Sequence, residues 1–99
     1  MNPFELARRL GIRVELADLG SWGGHAELRS EYDPQGPVIR INARMLDETA
    51  PQETARLVAA AIAHELYHHR EACGEIPRIA DRAQRERAAD AFARELLGR

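Results

Sequence analysis

Two histidines and a glutamate lie close together in the second half of the chain. His64, Glu65 and His68 form the pattern H-E-x-x-H, late in a run from residue 53 to residue 72 with few helix breakers. Residues four apart lie on the same face of a helix, so both imidazoles can face one metal ion, with Glu65 beside it as a non-ligand carboxylate. This spacing predicts two histidine ligands and an adjacent general base. The alternative is a solvated helix face that carries two histidines by chance.

A catalytic Zn²⁺ site usually has three protein ligands and keeps one coordination position for water. Glu86 and Asp90 are four residues apart on the predicted last helix, next to the apolar stripe that must pack inward. We expect Glu86 to be the third ligand, and Asp90 to accept the ring N–H of either His64 or His68. Glu95 is the second choice for the ligand. Glu86 could instead be an ordinary exposed glutamate paired with neighbouring arginines.

Hydrolysis of a carbonyl compound at such a metal site would also require a hydrogen-bond donor for the developing oxyanion. Tyr67, Tyr32, His25 and His69 are candidates for this role or for substrate contact, and each is equally compatible with a packed or solvated position. His69 directly follows His68, so it points about 100° away from it on a helix and is not expected to bind the metal. An extended substrate could pair with the edge of the sheet, for which residues 25–32 are the candidate strand.

The rest of the chain predicts an α+β fold around this helix. Asn2 and Pro3 suit the start of an N-terminal helix. Residues 12–16, 25–32 and 38–42 alternate apolar and polar side chains and predict three strands, the last two joined as an antiparallel hairpin by a turn at residues 33–37. We expect a small three-stranded, mostly antiparallel sheet packed on the H-E-x-x-H helix, with the third ligand on a C-terminal helix.

Capping signals and apolar stripes define the two site helices. Thr49 followed by Gln52 predicts the start of the H-E-x-x-H helix, which should end near Ala72. Asp81 followed by Gln84 predicts the start of the last helix. The residues expected to be buried are Leu57, Val58, Ala61, Ile62 and Leu66 on the first helix, and Ala89, Phe92, Ala93 and Leu96 on the second.

Length and charge narrow the class of protein. The 99 residues are expected to form one domain, residues 1–99. The formal net charge of −2 and the dispersed arginines do not indicate a nucleic-acid partner. No apolar run is long enough for a membrane span, the N-terminus does not read as a signal peptide, and there is one cysteine, so we expect a cytoplasmic protein.

The chain resembles the ImmA/IrrE family of metallopeptidases, which are gluzincin-like. The resemblance is carried by residues 2–12, 38–42, 63–68 and 86–97. It implies that His64, His68 and Glu86 bind one Zn²⁺ ion and that Glu65 is the catalytic base. It also implies a cytoplasmic peptidase, in many relatives directed at a helix-turn-helix repressor. Tyr67 departs from the pattern, because relatives commonly have glycine there.

These observations together predict a zinc-dependent endopeptidase. Its substrate is expected to be a protein or peptide, with a transcriptional repressor as the candidate. Two alternatives remain open at this point, a module that captures a regulator and uses zinc only for structure, and a latent peptidase that needs a partner. Glu65 favours an enzyme, because a purely structural zinc site needs no general base.

Overall fold

The computed structural model describes residues 1–25 and 28–98, and within them the chain has the predicted α+β fold. None of the helices in this part of the chain is both long and apolar enough to cross a lipid bilayer. Four helices and three strands form in the described residues: α1 (Pro3–Arg9), β1 (Arg13–Ala17), β2 (Ser30–Asp33), β3 (Val38–Asn42), α2 (Ala43–Glu48), α3 (Pro51–Ala72) and α4 (Arg82–Leu97).

The sheet has the strand order β1-β3-β2 and is mixed. β2 and β3 form the predicted antiparallel hairpin, whereas β1 pairs with β3 in parallel, so one of the two pairings departs from the mostly antiparallel expectation. β3 is central and is buried on both faces along most of its length. β2 begins at Ser30 rather than at His25, and residues 26 and 27 of the predicted strand lie outside the described residues.

Two of the three predicted helix caps are confirmed. Asn2 Oδ1 accepts the N–H groups of the first turn of α1, and Asp81 accepts the N–H of Gln84 at the start of α4. The prediction that Thr49 caps α3 is wrong. The helix begins at Pro51, and the capping position is held by Ala50, which forms no side-chain capping hydrogen bond. Thr49 instead ends α2, where its hydroxyl donates to the carbonyl of Met45.

The packing of α3 against the sheet and against α4 positions the site. Ala61, Ile62 and Leu66 are buried and join Ile39 and Ile41 of the central strand in the core. Burying one such large aliphatic side chain contributes roughly 1.5–3 kcal/mol. Ala89 and Ala93 are the buried residues of α4, and these small side chains allow it to lie close against α3. The second half of α3 is therefore in contact with both the sheet and α4.

Candidate active site

The two histidines of the H-E-x-x-H motif open into a cleft between β2, α3 and α4. His64 and His68 lie one turn apart on α3, and their Nε2 atoms are 3.3 Å from each other. Their side chains are 12% and 17% exposed, so both rings reach the surface from the second half of α3, whose neighbouring residues are mostly buried. The cleft has a volume of about 680 Å³, and β2 lines it with Ser30 and Tyr32.

Glu86 reaches the same point from α4. Its Oε2 lies 2.8 Å from Nε2 of His64, and its Oε1 lies 3.6 Å from Nε2 of His68. The capped start of α4 and its docking on α3 hold this carboxylate opposite the two rings. The structure thus brings together the three residues that sequence spacing predicts as ligands. Glu95, the second choice, does not line the cleft.

Each imidazole is bonded to a carboxylate at the ring nitrogen that faces away from this point. Nδ1 of His64 lies 2.8 Å from Oδ1 of Asp90, and Nδ1 of His68 lies 2.8 Å from Oε1 of Glu71. Of the two histidines left open for Asp90, the structure therefore selects His64. When Nδ1–H donates to a carboxylate, the lone pair of Nε2 is directed towards a metal ion.

Sequence reasoning missed Glu71. It stands three residues after His68, a spacing that places two side chains on the same face of a helix. That spacing could have identified Glu71 as the partner of His68, because a histidine ligand commonly donates its second ring N–H to a carboxylate. Glu71 and Asp90 together provide a carboxylate partner for the Nδ1 atom of each imidazole.

The three predicted ligands fit a divalent ion of the size and preferences of Zn²⁺. Two ligand atoms at roughly 2.05 Å from a tetrahedral ion lie roughly 3.3 Å apart. The 3.3 Å separation of the two Nε2 atoms matches this value. The two carboxylate oxygens of Glu86 lie close to the same pair of nitrogens, Oε2 at 2.8 Å from Nε2 of His64 and Oε1 at 3.6 Å from Nε2 of His68. Imidazole nitrogen and carboxylate oxygen are both ligand types that Zn²⁺ accepts.

Glu65 is a second carboxylate near this point and differs from Glu86 in its surroundings. One potential ligand atom each of His64, Glu65 and His68 lies within 4.8 Å of the others. Glu65 is only 5% exposed, however, and its Oε2 accepts a hydrogen bond from Oγ of Ser30 at 2.8 Å. Oε2 of Glu86 lies 2.8 Å from an imidazole nitrogen, whereas Glu65 is buried and bonded to Ser30, so the two carboxylates have different surroundings beside the imidazoles.

Burial is the main influence on the acidity of Glu65. Loss of solvent raises the pKa of its carboxyl group, while His64 and the bond from Ser30 act in the opposite direction and only partly offset this. A carboxylate with a raised pKa binds a proton more readily near neutral pH, which suits a general base. Ser30 was not predicted for any role, because its approach to Glu65 is a contact between distant parts of the chain.

Of the candidates for oxyanion stabilisation, the structure brings one to the cleft. Tyr32 lines it, and its hydroxyl is 2.7 Å from Nδ1 of His69. Burial raises the pKa of the Tyr32 hydroxyl. Among the described residues, neither Tyr67 nor His25 lines the cleft, because Tyr67 is buried with its ring facing Phe92 and His25 lies in an exposed loop.

Comparison with known protein families identifies the family of this chain. No curated protein and no solved structure matches the chain. A peptidase family model described as "IrrE N-terminal-like domain" matches residues 7–97, which is nearly the whole chain and includes all the site residues described above. This match supports a metallopeptidase-type function. The chain therefore belongs to the IrrE N-terminal-like domain family of peptidases, as its resemblance to the ImmA/IrrE metallopeptidases implied.

Proposed function

We propose that this chain is a zinc-dependent endopeptidase in which His64, His68 and Glu86 bind one Zn²⁺ ion and Glu65 is the general base. The observation that carries the proposal is the convergence of the Nε2 atoms of both histidines and the carboxylate of Glu86 at one point in the cleft. A buried carboxylate beside that point, with a raised pKa, is the additional group that hydrolysis requires.

Each side chain has a definable role in hydrolysis. A Zn²⁺ ion bound by these residues would make a water molecule more acidic and polarise the scissile carbonyl. Glu65 accepts a proton from the attacking water and then donates it to the nitrogen of the leaving amine. Ser30 holds Oε2 of Glu65, which leaves Oε1 to exchange the proton.

Asp90 and Glu71 act through the histidines rather than on the substrate. Each accepts the Nδ1–H of one imidazole and so holds the ring plane and the position of Nε2. The bond between Glu71 and His68 lies within α3, whereas the bond between Asp90 and His64 depends on the contact between α3 and α4.

The position of β2 supports binding of an extended protein or peptide substrate. β2 is at one edge of the sheet, and in the described part of the chain it pairs only with β3. Ser30 and Tyr32 of this strand line the cleft, so a substrate strand paired with β2 would pass the proposed metal ligands. Tyr32 is also the candidate oxyanion donor that the cleft contains.

The family resemblance makes helix-turn-helix repressors the first substrates to test. Zinc-loaded protein is incubated with candidate repressors, with and without a chelator, and the products are followed by mass spectrometry. Cleavage that is lost with chelator and restored by Zn²⁺ supports the proposal. Stable binding of an intact repressor, with no cleavage by zinc-loaded protein, would instead indicate a binding module.

A further inference from the structure

A second cavity adjoins the catalytic cleft on the side of His68. Its volume is about 510 Å³. It shares with the cleft four lining residues, Tyr32, His68, Arg82 and Glu86. Arg78 and Arg85 line it as well, and we refer to Arg78, Arg82 and Arg85 as the arginine cluster. Because the two spaces share these residues, the second cavity lies directly beside the proposed metal ligands.

Within residues 1–25 and 28–98, the guanidinium groups of the arginine cluster form few polar contacts. Among the described residues, neither Arg78 nor Arg82 has a hydrogen-bond or ion-pair partner. Arg85 donates a single hydrogen bond, to the carbonyl of Ile79 at 3.2 Å. By contrast, Arg40 and Arg44 elsewhere on the surface form ion pairs with carboxylates at 3.0 Å and 2.7 Å. Most guanidinium N–H donors of the cluster are therefore available to bind a ligand.

The acidic residues of the cavity do not neutralise the cluster by direct contact. Glu71 is 7% exposed and is bonded through Oε1 to His68, and Glu86 is directed at the imidazoles. Arg82 and Arg85 are three residues apart on the first turn of α4, where the helix end adds further positive potential. An anion bound in this cavity would be attracted by the positive charges of the three arginines that line it.

We propose that the arginine cluster is a specificity subsite that binds an aspartate or glutamate side chain of the substrate, within one or two residues of the scissile bond. This inference rests on the proposed peptidase function. Carboxylate is the chemical class that fits, because guanidinium groups bind it through paired, charge-assisted hydrogen bonds. The cavity volume is within the roughly 300–1,000 Å³ range of sites that hold small ligands or side chains.

A binding experiment tests the subsite without requiring turnover. The test uses two short fluorescein-labelled peptides, one with glutamate and one with glutamine at the same alternate positions. Each peptide is titrated with zinc-loaded protein that carries Glu65→Gln, so that it is not cleaved, and binding is followed by fluorescence anisotropy. The glutamate peptide is expected to bind at least about tenfold more tightly. Adding Arg82→Gln should remove this preference. Arg87→Gln is the matched control, because Arg87 is an exposed arginine of α4 that lines neither cavity.

Equal binding of the two peptides would overturn the subsite, and so would an equal loss in the Arg82 and Arg87 variants. Thermal unfolding of each variant checks that the fold is retained, which is expected because the side chain of Arg82 is exposed and has no partner within the described part of the chain.

A cleavage experiment separates the subsite from the proposed function. Zinc-loaded protein with native Glu65 is incubated with a degenerate peptide mixture, and the products are sequenced by mass spectrometry. Aspartate and glutamate should be enriched beside the cleavage position, and Arg82→Gln should lower the ratio of kcat/KM for glutamate over glutamine peptides about tenfold. Cleavage with no acidic preference refutes the subsite and leaves the peptidase proposal standing. Arg82-dependent binding of the acidic peptide with no cleavage of any peptide supports the anion site and refutes the peptidase proposal.

Discussion

Replacing Glu71 by glutamine tests whether the carboxylate behind His68 contributes to metal binding. The amide of glutamine can still accept the Nδ1–H, so the change removes the charge and keeps the hydrogen-bond acceptor. Loss of such an outer partner typically costs about 10–100-fold in metal affinity, or roughly 1.4–2.7 kcal/mol. Glu71 is 7% exposed, whereas Asp90 behind His64 is 53% exposed. Solvent therefore screens Asp90 more strongly, and we expect a loss near 100-fold for Glu71→Gln and near tenfold for Asp90→Asn.

The assay is a competition titration of Zn²⁺ between each variant and a chromophoric chelator at neutral pH. Glu75→Gln is the matched control, since Glu75 is an exposed glutamate just after the end of α3 that pairs with Arg70 and does not contact either imidazole. Its zinc affinity should equal that of the unsubstituted chain. If Glu71→Gln bound Zn²⁺ as tightly as Glu75→Gln, the contact between Glu71 and His68 would have no part in holding the metal. A larger loss for Asp90→Asn than for Glu71→Gln would contradict the argument from screening.

Three further substitutions test other parts of the site. Glu86→Ala is expected to lower zinc affinity by more than about 100-fold, since removal of a carboxylate that only supports a ligand already lowers it about 10–100-fold. Undiminished zinc on elemental analysis would show that Glu86 is not a ligand. Ser30→Ala should lower kcat about tenfold through loss of its bond to Glu65, and an unchanged kcat would show that this bond does not position the base. In chelator-treated protein, Glu65→Gln should raise the melting temperature at pH 7, because burial raises the pKa of Glu65 and makes its ionised form costly in the folded state. That gain should vanish below about pH 4, where the carboxyl group is protonated in both folded and unfolded chains, and an equal gain at both pH values would contradict burial as the cause.

Local helix geometry explains why much of the site was predictable. The four-residue spacing of His64 and His68 decides on its own that the two rings share a face of α3. The spacing of Glu86 and Asp90 does the same for α4. Which histidine contacts Asp90 depends instead on how α4 is rotated and shifted along α3, and this results from packing of both helices. The spacing therefore left that choice open.

Contacts between distant segments were not predictable in this way. Ser30 contacts Glu65 because β2 lies beside α3. The segment that leads into β2 is held by the buried side chain of Asn42, which donates to the carbonyls of Gly20 and Leu28. Alternation of apolar residues predicts that a strand exists but does not identify its neighbour, so the parallel pairing of β1 with β3 was missed. The sequence around Thr49 is typical of a helix cap, but α2 ends at this residue. Its hydroxyl donates to the carbonyl of Met45 and does not cap α3.

The most direct test of the proposed peptidase is hydrolysis by the unsubstituted chain and by Glu65→Gln at equal zinc content. Both proteins should bind one Zn²⁺ ion and give the same circular dichroism spectrum. The unsubstituted chain should cleave its substrate in a chelator-sensitive reaction, and the variant should be slower by roughly 100-fold or more, because the general base is gone. Cleavage at an unchanged rate by zinc-loaded Glu65→Gln would contradict the assignment of Glu65 and the mechanism built on it.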